Sequence, residues 1–275
     1  MKKLIDGFFA GEKIEYYAAL PYDSVRVSRP YLTERAGLDP KTALVFLIPY
    51  LSLEGVNISS YAVARDYHLY IKDLTVRLAD ALRSAYPEYR FIGFGDHSPI
   101  DERHAALSAG LGIIGDNGLL INEKYGSFVF IAELLTDAPP ELLGAVTPSE
   151  IKRCEHCGAC LVACPTECLS GRGECLSDIT QKKGELTDSE CELIRRVGTA
   201  WGCDECQRAC PHNALPEITP IEFFKTDLVA ALTSERVESM TEDEFRSRAY
   251  AWRGRNTVLR NLEVLKNKLP EGKKS

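Results

Sequence analysis

The stretch Cys154-Glu-His-Cys157-Gly-Ala-Cys160-Leu-Val-Ala-Cys164-Pro165 decides how this chain is built. Its C-x2-C-x2-C-x3-C-P spacing is the one in which three thiolates hold one 4Fe-4S cubane while the fourth reaches across to a second. A second run, Cys203, Cys206 and Cys210 followed by Pro211, keeps C-x2-C-x3-C-P and lacks the middle cysteine of the first. One thiolate of the second cluster must therefore come from elsewhere. All ten cysteines lie between Cys154 and Cys210.

The crossed pattern assigns the ligands. Cys154, Cys157 and Cys160 are expected to share a cluster with Cys210, and Cys203 and Cys206 to share the other with Cys164 and one of Cys168, Cys175 and Cys191. We take Cys175, which stands clear of the first motif's turns, whereas Cys168 follows Cys164 closely enough to fall in the next turn. Cys168 and Cys191 then serve as small apolar residues. A disulfide framework fits poorly, because no signal-peptide pattern opens the chain and the first 150 residues, ample for a core, hold no cysteine. Structural zinc would more naturally show paired C-x-x-C units without the trailing C-x3-C-P.

With 275 residues, 45% of them hydrophobic and 27% charged, the chain suffices for one good-sized domain and a smaller one. No apolar run approaches the ~20 residues needed to span a bilayer. Oxygen-sensitive thiolate sites point to a reducing cytoplasm. A net charge of -7 argues against strong non-specific nucleic-acid binding, which needs a basic surface, and leaves room for a local basic patch.

Outside the cysteine segment the pattern is mixed α and β. The apolar run Ala43 to Pro49 predicts a buried central strand. A helix capped by Ser59 or Ser60 is expected to run to about Ala85, with Tyr67, Ile71, Leu74, Leu78 and Leu82 on its apolar face. Within it, Arg65, Asp66 and His68 read either as a pocket edge or as a solvated face. Tyr89 to Phe94 predicts a second strand, and Ser98, Pro99 and Asp101 a helix start, so Asp96 falls in a strand-to-helix turn. In open α/β sheets ligands collect at such strand ends. Gly110 to Gly118 forms a loop with four glycines, at Gly110, Gly112, Gly115 and Gly118, that lets backbone approach a flat or anionic ligand. Ser127 to Thr136 predicts another strand, and Pro139, Pro140 and Pro148 mark a linker. The expected domains are thus 1–148, an α/β domain, 149–217, a ferredoxin-like domain, and 218–275, a helical segment. The last of these carries Arg253, Arg255, Arg260, Lys266 and Lys268, which read as a solvated helix face.

Taken together, these residues resemble the epoxyqueuosine reductase family, cobalamin- and iron-sulfur-dependent enzymes of queuosine synthesis on tRNA. The resemblance is carried by Arg65-Asp-Tyr-His68, Asp96 with Ser98-Pro99, Ala109-Gly-Leu-Gly112, Glu133-Leu-Leu-Thr-Asp137, both cysteine motifs, Gly202-Cys-Asp-Glu-Cys-Gln207, and Arg253 to Asn261. It implies an α+β or α/β, nitroreductase-like cobalamin-binding domain followed by a ferredoxin-like two-cluster domain. It also implies Asp96 as proton donor, Cys175 among the ligands, and cofactor contacts from Arg65, His68, His97, Ser98, Gly110, Gly112, Gly115, Asn117 and Gly118. Asp116 departs from the family, whose loop usually carries lysine there. Longer members also continue into a helical-repeat domain, whereas this sequence ends at Ser275. The implied function is oxidoreduction of the epoxide of epoxyqueuosine in tRNA, fed by a low-potential donor of ferredoxin or flavodoxin type. Two alternatives are a corrinoid-dependent reductase of a small molecule and a two-cluster electron-transfer protein without cobalamin.

Overall fold

A computed structural model of the chain describes residues 1–267. Lys268 of the basic segment lies outside the described residues. The chain forms two compact units that take turns along the sequence. The first comprises Met1–Tyr50, His68–His156 and Leu215–Ile221, and the second Leu51–Tyr67, Cys157–Ala214 and Glu222–Ser275.

The first unit is built on a sheet of β1 (Tyr17–Pro21), β2 (Thr42–Pro49), β3 (Phe91–Gly95) and β6 (Val129–Thr136), in the order β1-β2-β6-β3. Between β3 and β6 in the chain, β4 (Ile113–Ile114) and β5 (Leu120–Ile121) form a small separate ladder. The helices are α1 (Lys2–Glu12), α2 (Tyr31–Ala36), α3 (Tyr67–Ala85), α4 (Glu102–Ser108) and α5 (Pro140–Leu143). All eight residues of β2 are buried, as a strand apolar on both faces requires. It is central, as expected, with Val45 opposite Glu133 of β6.

Every pairing in this sheet is antiparallel. The ligand rule for parallel α/β sheets therefore does not locate the site. Asp96 instead leaves the edge strand β3. The glycines of that strand have a packing role: a Cβ on Gly95 would come within 2.8 Å of the Ile71 side chain, and one on Gly93 would overlap Thr75. Only a strand without side chains there lets α3 lie this close.

Two expected helix starts move. The helix predicted from Ser59 begins at Tyr67, because the preceding residues are spent on pairing within the second unit. Ser59 N–H donates to Trp201 O at 2.7 Å, Val63 O accepts from Val229 N–H at 2.8 Å, and Asp66 N–H donates to Ser247 O at 2.8 Å. Asp101, not Ser98, caps α4, accepting from His104 N–H at 3.0 Å. Ser98 to Ile100 cannot be helical, since Pro99 O accepts from the N–H groups of Ser28 and Arg29 and Ile100 bridges Val27.

The second unit holds α6 (Ala159–Ala163), α7 (Leu176–Thr180), α8 (Asp188–Val197), α9 (Glu205–Arg208), α10 (Ser234–Ser239), α11 (Glu242–Arg246) and α12 (Arg255–Lys266). Its core gathers Ile58, Trp201, Val237, Phe245, Tyr250 and Val258. The Thr241 and Glu244 pair forms a capping box at α11. Asn261, fully buried, donates to Thr180 O at 2.7 Å and Ala200 O at 2.8 Å, tying α12 to two other segments.

The basic residues near α12 are not a plain solvated face. Arg260 donates to Lys182 O at 2.8 Å, Arg255 to Met240 O at 3.1 Å, and Arg253 stacks 3.7 Å over the exposed Trp252 ring. Their charges are used on carbonyls and a ring.

Candidate active site and cluster cysteines

In the first unit the chain leaves β3 through Asp96, whose φ of +64° is left-handed. Aspartate and asparagine tolerate that region better than other residues with a side chain. The tight turn, with His97 N–H donating to Gly95 O at 2.7 Å, projects Asp96 toward the first turn of α3. There His68 Nε2 lies 3.2 Å from Asp96 Oδ2, with both side chains half-exposed. His97 Nε2 is 3.3 Å from the Tyr31 hydroxyl. Beside them opens a cleft of about 490 Å³, walled by Ile71, Thr75 and Phe94 and reached by His68 and His97. His68, Asp96 and His97 thus come together. Ser98 is fully buried, its hydroxyl accepting from Ile100 N–H at 3.1 Å.

Two carboxyls that the sequence reading did not place at the site stand behind Asp96. Glu102, in the first turn of α4, accepts from Asp96 N–H at 3.2 Å. Burial, then the negative charge of Asp96, pushes Glu102 up to about 7, against the pull of Arg103 and Arg29. Glu133 lies on β6 with 0% exposure, and neither of its oxygens has a hydrogen-bond partner among the described residues. Burial, then the charge of Glu102, raises it to about 8, eased by the nearby Ser98 hydroxyl. Unfolded Glu133 would shed its proton in the ordinary carboxyl range, while the folded chain holds it until about pH 8. Raising pH through that window therefore draws the chain toward the unfolded state. The available sequence signal was a single carboxylate within the otherwise uncharged run Ser127 to Thr136.

The glycine loop runs through β4 and leads into β5, and its glycines answer first to the chain's own packing. A Cβ on Gly112 would come within 2.5 Å of Ile121 O, and one on Gly115 within 2.5 Å of Asn117 Oδ1. Gly110 and Gly118 have φ of +74° and +76°. Asn117 Oδ1 accepts from Leu119 N–H at 3.2 Å, while its buried Nδ2 has no partner among the described residues. Such an orphaned donor suits an acceptor-fringed ligand. Asp116 pairs with His156 Nδ1 at 2.7 Å, and the Cys154 thiol lies within 4.8 Å of both.

In the second unit, Cys164 Sγ lies 3.5 Å from Cys168 Sγ. Burial raises Cys164, but N–H groups of Leu169 and Thr166 and the Thr166 and Cys168 side chains outweigh it and bring the thiol down to about 7. A thiolate is favoured there, as cluster ligation needs. Cys206 is driven up to about 11 by burial, then by Cys175, Asp204, Cys164 and Cys160, so these thiols share one neighbourhood. Cys203 is driven up to about 12 by burial, opposed by Glu205 N–H, and then by Cys206 and Cys175. Cys175 stands at the cap position of α7, within this group. Cys191 instead lies on α8, close enough to Arg260 to raise that guanidinium's affinity for its proton, against the larger effect of burial. The donor set fits clustered iron. Arg65 belongs to the same unit, stacked 4.6 Å over Phe223 and 3.5 Å from Asp227.

Comparison with known proteins agrees with this layout. Residues 153–213 match the 4Fe-4S double cluster binding domain. An epoxyqueuosine reductase of Cyclobacterium marinum is 32% identical over 228 residues, covering 78% of this chain and 71% of that one. The Pseudomonas aeruginosa enzyme is 35% identical over 182 residues, 64% of this chain and 48% of that one. The chain thus spans about half the length of the first curated relatives it matches, from 48% to 59%. Among solved structures, epoxyqueuosine reductase from Streptococcus thermophilus shares the fold with a TM-score of 0.75 at 24% identity, covering 96% of this chain and 80% of that one. A crystal structure of epoxyqueuosine reductase with an epoxyqueuosine-modified tRNA-Tyr stem loop gives 0.77 at 22% identity, with the same coverages. These likenesses bear out the mixed α and β architecture and the two-cluster domain read from the cysteine spacing. With the fold shared across nearly its whole length and 32% of the aligned residues identical to a relative it mostly covers, the chain belongs to the epoxyqueuosine reductase family.

Proposed function

We propose that this chain reduces the epoxide of epoxyqueuosine in tRNA to the alkene of queuosine. The observation that carries the reading is the pair formed by Asp96 and His68, the latter lining the cleft, in a chain of this family. Cobalamin, when bound, supplies two-electron reducing chemistry at the epoxide carbon. Asp96 holds the proton that the opened oxygen takes up, and His68 orients that carboxyl. A substrate laid over the half-exposed Asp96 excludes water and favours the neutral acid. Asn117 Nδ2 supplies a donor toward the cofactor's amide fringe. Arg65 remains a candidate contact.

The eight cluster ligands we assign are Cys154, Cys157, Cys160 and Cys210 for one cubane and Cys164, Cys175, Cys203 and Cys206 for the other. Electrons arrive from a low-potential donor of ferredoxin or flavodoxin type, in a reducing cytoplasm. No described helix is long and apolar enough to cross a membrane. Arg253 over the exposed ring of Trp252 offers a cation and an aromatic face, the combination that unstacked bases and phosphates favour.

Titration of anaerobically prepared, cluster-loaded protein with cobalamin tests the cofactor reading. A saturable shift of the corrinoid absorbance is expected, weakened in Asn117→Ala. An unchanged corrinoid spectrum would remove cobalamin from the account.

A further inference from the structure

Converting an epoxide to an alkene breaks both C–O bonds, forms one C=C bond, consumes two electrons and two protons, and releases one water. One proton makes the hydroxyl of the opened ring, and the other makes that hydroxyl leave as water. Asp96 holds only one. On the reading of Asp96 as the acid, a second proton must reach the same place within one turnover.

Glu102 is placed to provide it. Its carboxylate accepts the backbone N–H of Asp96 at 3.2 Å, so the two acids are joined through one residue. Glu102 is only partly covered and can refill from solvent between turnovers. Behind it, α4 packs on β6, and Glu133 of that strand has both oxygens buried and unpartnered among the described residues. Such an orphaned carboxyl in a core costs stability unless it is neutral or acquires a partner. The charge of Glu102 acts on it there.

We propose that Glu102 supplies the second proton of each turnover through Asp96. The Asp96 carboxylate, having protonated the substrate oxygen, takes the Glu102 proton. It delivers that proton to the leaving hydroxyl, and Glu102 recovers one from water. The electrons come from the reduced cluster pair. The charged groups bearing on Glu102 are Asp96, Arg103 and Arg29, and those on Glu133 are Glu102 and the polar Ser98.

The test uses cluster-loaded, cobalamin-supplied protein and an RNA stem loop carrying epoxyqueuosine. Single-turnover rates should fall as pH rises through about 7, where Glu102 loses its proton. Glu102→Gln should be slower by at least about tenfold and lose that limb. Infrared pH titration of protein without substrate gives a readout apart from turnover: a protonated-carboxyl band that titrates near pH 7 should vanish in Glu102→Gln. If Asp96→Asn is inactive while Glu102→Gln keeps the wild-type rate and pH profile, or if no such band exists, the second-proton role is overturned. An active Asp96→Asn instead overturns the reading of Asp96 itself.

Discussion

Asp96→Asn is expected to lose epoxide reduction by about 100-fold to 10,000-fold, the usual worth of a positioned general acid, with fold, clusters and corrinoid binding intact. The structure makes this substitution a clean one. Asp96 sits at φ +64°, a conformation asparagine adopts as readily as aspartate, so the turn between β3 and α4 keeps its backbone. The amide is the same size and still meets His68 at the present 3.2 Å. What it cannot do is give up a carboxylic proton. Were Asp96 only a turn residue, the change would cost about a kilocalorie of stability or less and leave turnover of the folded protein nearly untouched. Single-turnover rates beside matched thermal melts separate the two, and a fully active variant removes Asp96 from the chemistry.

Replacing Cys175 by serine is expected to remove one of the two clusters, taking the iron content from about eight to about four atoms per chain. The grounds are positional. The Cys206 and Cys203 thiols both feel the charge of Cys175, which stands at the start of α7 with its side chain among them. Cys191 is the control, since it lies on α8 by Arg260, and Cys191→Ser should keep full iron. Cys168 is the sharper competitor, because its sulfur is 3.5 Å from that of Cys164. Iron analysis on anaerobically prepared variants decides between them. Loss of iron in Cys168→Ser with full retention in Cys175→Ser would exchange their roles.

Much of this arrangement was legible in the residues, for reasons that differ from element to element. The strand β2 announces itself because a segment buried on both faces has no polar positions. The cluster cysteines announce themselves because ligand spacing is set by cubane geometry, a purely local constraint. The start of α3 was misplaced because Ser59 and Ser60 offer good local caps, yet their backbone is claimed by residues far along the chain, Trp201 among them. Ser98 failed as a cap for the same reason, its neighbours Pro99 and Ile100 being paired with the segment from Val27 to Arg29. The glycines at Gly112 and Gly115 pointed to a ligand, whereas a tight ladder alone accounts for them. Least visible were Glu102 and Glu133. A carboxyl in a strand or a first helical turn is ordinary, and only the antiparallel register that sets Glu133 opposite Phe94, two residues before Asp96, gathers the three acids. The interleaving of the two units was hidden likewise, because it rests on contacts between segments distant in sequence.

The 275-residue chain, which spans about half the length of the first curated relatives it matches, is expected to carry out epoxide reduction. The most direct measurement is anaerobic single turnover on an RNA stem loop bearing epoxyqueuosine, with the product read by mass spectrometry. The account predicts loss of one oxygen atom from the modified base, dependent on both cobalamin and a low-potential reductant. An unaltered stem loop, from protein in which both clusters are in place and corrinoid is bound, would contradict it.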